Sequence, residues 1–134
     1  MDTDRKKRYG EKFELIYERT EDVELLLPNL NDKIKRLACY KAFQELVESL
    51  FDITAMMLKD NNKVVQDDYT NVDKLHNIGI VNEKDIKILQ ESNGLRNRIV
   101  HRYNKTDDNI AKDSMVTLLP GLKAITEKLH KNVK

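Results

Sequence analysis

Apolar residues recur along this chain at steps of three and four, the signature of helices that bury one side. Tyr9, Phe13, Ile16, Thr20, Val23 and Leu27 form one such stripe, predicting a long first helix that ends before Pro28. Asn29 or Asn31 is placed to cap a second helix whose buried side is Ile34, Leu37, Phe43, Leu46, Val47, Leu50, Thr54, Met57 and Leu58. Run to about Lys59, that helix is roughly 45 Å long at 1.5 Å per residue. A helix so long in a chain of 134 residues implies a bundle, with helix to spare for a partner subunit.

Asp60, Asn61 and Asn62 break the pattern, and residues 67–71 read as an acidic loop. Residues 72–80 predict a short helix stopped at Gly79. Asn82 caps a fourth helix, with Glu83 and Asp85 in the first turn, where the helix dipole favours acids. Ile86, Leu89, Val100 and Tyr103 line one side of it, and Ile88, Leu95 and Ile99 another, which puts this helix at the centre of its bundle. Met115, Leu118, Leu119, Leu122, Ile125 and Leu129 mark a last helix, expected to kink near Pro120 and Gly121. With only four glycines, two prolines and no sustained alternation, the fold class is all-α. The expected architecture is an up-and-down bundle of about five helices in a single domain, 1–134.

Composition narrows the function. Twenty-four basic and 23 acidic residues nearly cancel, so any nucleic-acid site must be local. One cysteine, Cys39, excludes an internal disulfide and a multi-cysteine metal site; beside Ala38 and Ala42 it reads as a buried, inert thiol. The start shows no signal-peptide core and no run reaches a membrane span, so the expected setting is cytoplasmic with no membrane partner. No glycine-rich phosphate loop or nucleophile elbow is present, and no cofactor is implied.

The three histidines are scattered and show no metal-ligand spacing, so no metal site is expected. His76 reads as a packed or surface residue, and His130 as a cation suited to the end of the last helix. His101 differs by its company. Arg96, Arg98, Arg102 and Lys105 place four positive charges in ten residues without an acid among them. An arginine fork matches phosphate oxygens, and a neighbouring imidazole can move protons, the combination that metal-free RNA cleavage needs. Tyr103 is suited to stacking on a base or bonding a phosphate. By composition alone, the same run also describes a solvated basic face.

The order Arg96, Asn97, Arg98, Ile99, Val100, His101, Arg102, Tyr103 resembles the R-x-x-x-x-H-x-Y signature of the HEPN superfamily, and within it the HepT toxins. The likeness extends to the second helix around Tyr40, Phe43, Asp52 and Met56, to Asp67, Asp68 and Tyr69, and to residues 75–80. It implies a homodimeric, metal-independent endoribonuclease acting on tRNA or mRNA and neutralised by an MNT-type nucleotidyltransferase antitoxin. It makes Arg96 and His101 the catalytic pair and Tyr103 the residue that the antitoxin modifies with AMP in some members. Asn97, Arg98, Arg102 and Lys105 are placed to contact RNA phosphate, although Arg98 and Arg102, four apart on one face, are equally able to neutralise neighbouring acids. Asp52 is a supporting residue able to orient an arginine across the dimer, or else a solvated acid. A different class stays open: a catalytically silent interaction subunit binding a nucleotidyltransferase or a nucleotide through the same cleft.

Helix geometry adds a constraint. Five residues apart, Arg96 and His101 lie about 140° apart around a straight helix. Either the helix is distorted there, or the two converge with their mates from a second copy.

Overall fold

The computed structural model describes residues 2–101 and 107–133. Five helices follow in order: α1 (Thr3–Leu26), α2 (Lys33–Asp60), α3 (Asp68–Asn77), α4 (Glu83–His101) and α5 (Asp108–Asn132), with a 3-10 turn at Leu27–Asn29 between the first two. Among the described residues there is no strand, and no helix is long and apolar enough to cross a membrane.

Each start has a chemical cause. Asp2, Asp32, Asp67 and Asp107 cap α1, α2, α3 and α5, each accepting a backbone N–H of the first turn. At α4 the cap is reciprocal: Asp85 N donates to Asn82 Oδ1 at 2.8 Å while Asn82 N donates to Asp85 Oδ2 at 3.0 Å. Gly79, at φ +83°, makes the turn that ends α3. Asp32, not Asn29 or Asn31, therefore caps α2, because the 3-10 turn has already used the residues after Pro28.

The core is one cluster, with α2 at its centre. Phe13 and Ile16 of α1 meet Phe43, Leu46, Leu50, Ile53 and Leu58 of α2, and Leu75, Leu89, Leu95, Met115 and Leu122 close the other sides. Every one of these side chains is fully buried, a burial that contributes about 1.5–3 kcal/mol each relative to exposure. Cys39 lies in this core, where desolvation pushes its thiol up to about 11. Beside the core, α1 and α2 are joined by an ion-pair ladder: Arg5 with Asp60, Lys12 with Asp52 and Arg19 with Glu45, one rung at every seventh residue of α1. Tyr9 extends the first rung by donating to Asp60 Oδ2 at 2.5 Å.

Three expectations change. Ile34 and Leu37 are not core: at 79% and 43% exposure they occupy the first turns of α2, before the helix reaches the bundle. Val100 is likewise exposed. The stretch read as an acidic loop is the first turn of α3, because Asp67 caps it and Asn71 turns back to bond the backbone of Gln66 in both directions, at 2.7 and 3.1 Å. Pro120 lies inside α5, which is assigned as one helix through the position where a kink is expected. Next to it, Gly121 allows the close approach of α4: a Cβ there would lie 2.6 Å from Cδ1 of Ile88.

Candidate active site

The penultimate helix carries the basic run, and its regularity is the first fact of the site. α4 is α-helical through to His101, so the 140° separation of Arg96 and His101 holds and no local distortion brings them together. Arg96 points to α2 and is half-buried, whereas His101 is exposed at the last turn. Arg98 faces away from Arg96, into a groove between α4 and α5 lined by Glu91, Gly94, Asp113, Ser114 and Thr117. Arg102, Tyr103 and Lys105 lie outside the described residues.

Arg96 is held firmly. Its Nε donates to Glu48 Oε2 at 3.2 Å, its Nη2 donates to the same oxygen, and its Nη1 donates to Asn97 Oδ1 at 2.6 Å. Glu48 takes the side of the guanidinium, and Gln44, one turn earlier on α2, reaches both Glu48 oxygens at 3.4 Å. Of five N–H groups, three are used among the described residues, leaving one on each terminal nitrogen for a ligand. Asn97, expected to touch RNA, thus serves as a brace for Arg96 in this arrangement.

Beside the guanidinium opens a cavity of about 310 Å³ between α2, α3 and α4, lined by Glu48, Phe51, Asp52, Asp68, Asn93 and Arg96. Asp52 reaches this cavity but is paired with Lys12 of α1 at 2.7 Å, not with an arginine. Asp68, at the open rim, has its carboxyl raised above the usual range by partial desolvation, with Asp52 and Asp67 adding to the rise and Arg96 opposing it. Sequence reasoning missed the pairing of Glu48 with Arg96, and it did not single out Asn93. The signal available was the alignment of Glu48 and Asp52, four apart on α2, opposite its apolar stripe.

The other histidines behave as structural residues. His76 is half-buried in α3, and His130 stacks on Phe13 with ring centroids 4.4 Å apart. Tyr17 donates to Glu127 at 2.7 Å and lies 3.0 Å from His130 Nδ1; desolvation, then Glu127, pushes its phenol up to about 12. No group of three or more metal-ligating side chains converges among the described residues.

An all-α bundle with an R-x-x-x-x-H run on the helix facing its central one defines a HEPN-type domain. The Ribonuclease HepT-like family matches residues 9–129. Two candidate RNases of Archaeoglobus fulgidus are similar to the chain. One is 36% identical over 83% of this chain and 82% of its own length, the other 38% identical over 77% and 76%. The chain belongs to the HepT-like ribonuclease family. The fold agrees with solved structures at low identity. The HEPN toxin of Shewanella oneidensis, tri-AMPylated and in complex with an MNT antitoxin, matches with a TM-score of 0.86, 15% identity and coverage of 98% of this chain and 99% of that one. The cytosolic protein YutE of Bacillus subtilis matches with a TM-score of 0.69, 17% identity and 87% coverage of both.

Proposed function

We propose that this chain is the toxin of a HEPN/MNT toxin–antitoxin pair and cleaves RNA as a homodimer without metal. The observation that carries this reading is the clamped Arg96, with two N–H groups left over, on a helix whose last turn presents His101. In the proposed reaction the 2′-oxygen attacks phosphorus while the bond to the 5′-oxygen breaks, giving a 2′,3′-cyclic phosphate and a 5′-hydroxyl. One proton leaves the 2′-oxygen and one is delivered to the 5′-oxygen; His101 carries one of these transfers. Arg96 stabilises the charge that builds on the phosphoryl oxygens. Since α4 stays regular to His101, the two residues act on one phosphate by meeting across a two-fold axis with a second copy. Arg98, on the opposite side of α4 from Arg96, and Arg102 and Lys105 are proposed as further contacts to RNA phosphate.

The names of the relatives support the reaction class, and the complex in which the Shewanella toxin was solved supports a nucleotidyltransferase partner. Tyr103 is proposed as the AMP acceptor, because an anionic adduct there competes with RNA phosphate. The test is cleavage of tRNA and mRNA with chelator present. Wild type is expected to cut, and His101→Ala to lose about 10²- to 10⁴-fold in rate. An inactive wild type, or an unimpaired variant, rejects the reading. Light scattering at micromolar concentration checks the dimer, and intact mass after co-expression with the neighbouring nucleotidyltransferase checks Tyr103.

A further inference from the structure

The cavity beside Arg96 has a nearly buried amide in its wall. Asn93 is only 4% exposed and lines the cavity, yet its side-chain amide has no hydrogen-bond partner among the described residues. Ser92 Oγ is the one side-chain polar atom among the described residues that is shut off from solvent without a partner; the Asn93 amide instead opens onto the cavity, where water or a ligand can meet its donors and acceptor. Opposite stand the carboxylates of Glu48, Asp52 and Asp68, with Arg96 in the wall and Lys12 paired to Asp52. Glu48 is committed to Arg96 and Asp52 to Lys12, while Asp68 makes no hydrogen bond or salt bridge among the described residues, although Arg96 is near enough to act on its charge.

We propose that this cavity is a nucleobase subsite that reads a guanine next to the phosphate held by Arg96; this rests on the ribonuclease reading above. With Glu48 and Asp52 each paired to a cation, the uncompensated charge is that of Asp68, which disfavours a phosphate in the interior, so the anion stays at the outer edge of Arg96 and the group that enters is neutral. Carboxylate acceptors call for a ligand edge rich in N–H donors. Among the four bases, only guanine places two adjacent donor groups, N1–H and N2–H₂, beside an acceptor, O6. Asp68 supplies the acceptor for the first two and the Asn93 amide the donor for the third. Phe51, buried in the same wall, offers an apolar surface, and about 310 Å³ is at the small end of ligand pockets, where a single base fits. Recognition of an unstacked base by its Watson–Crick edge is the usual way proteins read single-stranded RNA.

The experiment has two arms. In a randomised single-stranded RNA pool, wild type is expected to favour guanine at one fixed position beside the cut by about tenfold or more. Asn93→Ala and Asp68→Asn are each expected to bring that ratio, measured within one reaction, down to about twofold. Thermal melts establish that both variants are folded. A wild type without base preference, a preference for another base, or folded variants that keep the guanine ratio overturns the subsite. The second arm needs no cleavage: side-chain amide resonances of ¹⁵N-labelled protein are followed during titration with guanosine 3′-monophosphate and, separately, cytidine 3′-monophosphate. Asn93 is expected to shift saturably with the guanosine nucleotide alone. That shift in a protein that cuts no RNA keeps the subsite and rejects the ribonuclease. Cleavage without the shift does the reverse. A shift produced by the nucleotidyltransferase and by neither nucleotide assigns the cavity to a cationic side chain of that partner and overturns the proposal.

Discussion

Arg96 lies side-on against the carboxylate of Glu48, 48 residues earlier in the chain, and the two N–H groups facing α2 share a single oxygen. This fixes the plane of the guanidinium before any ligand arrives. Orientation of this kind matters because a displacement of about 1 Å at a reacting group can lower a rate about 100-fold.

Replacing Glu48 should therefore act through Arg96. Glu48→Ala is expected to lower single-turnover cleavage by about ten- to 100-fold. Glu48→Gln, which keeps an acceptor oxygen, should fall less. RNA affinity should change by a smaller factor in both, since two arginine donors remain for phosphate. Equal losses for the two variants, or losses confined to affinity, would count against a positioning role. Single-turnover kinetics over a range of protein concentration separates these outcomes.

Two glycines make a paired stability test. Gly10 sits in α1, and a Cβ added there would meet nothing within 4 Å, so Gly10→Ala should stabilise by about 0.5–1 kcal/mol through helix propensity. Gly121→Ala drives a methyl into Ile88 and should destabilise by about 1–3 kcal/mol despite the same propensity gain. Urea unfolding of the two variants measures the opposite signs.

Cys39 should be chemically silent in the folded protein. It is fully buried and its thiol is held up at about 11, so almost no thiolate exists at pH 8. Iodoacetamide at that pH is expected to leave the native chain unmodified and to add one group after denaturation, as read by intact mass.

Acid should weaken the top rung of the ladder. Asp60 is partly desolvated, which alone would raise its carboxyl, but hydrogen bonds from Tyr9 and Arg5 outweigh this and hold it below the usual value. A carboxyl depressed in the folded state adds stability above its unfolded value, near 4, and that stability is lost as pH falls through the folded value. The stability of wild type should therefore drop between about pH 5 and 2 more steeply than that of Asp60→Asn. Denaturant midpoints across that interval give the comparison.

The helical period made most of this fold legible, since Phe13, Ile16, Phe43, Leu46 and Leu50 are apolar at the spacing their burial requires. It failed where an element begins. Ile34 and Leu37 continue the stripe of α2 but precede the point where other helices cover it, and period cannot show where coverage starts. Residues 67–71 looked polar because the first turn of α3 is built from a cap and from Asn71 bonding Gln66, chemistry that carries no apolar signal. At the site, Arg96 was legible from its motif. Glu48 and Asn93 were not, because one lies 48 residues from its partner and the other has no side-chain hydrogen bond among the described residues to mark it.

Gly121 has a consequence beyond its own packing. Ile88, which fills the space above it, is eight residues before Arg96 on the same unbroken helix, about 12 Å along the axis. α4 therefore works as a stiff lever: its seat is on α5, and its far arm carries the guanidinium. A displacement of α4 where Gly121 seats Ile88 would carry Arg96 with it, so a residue on α5 that lies away from the cavity bears on where the guanidinium stands.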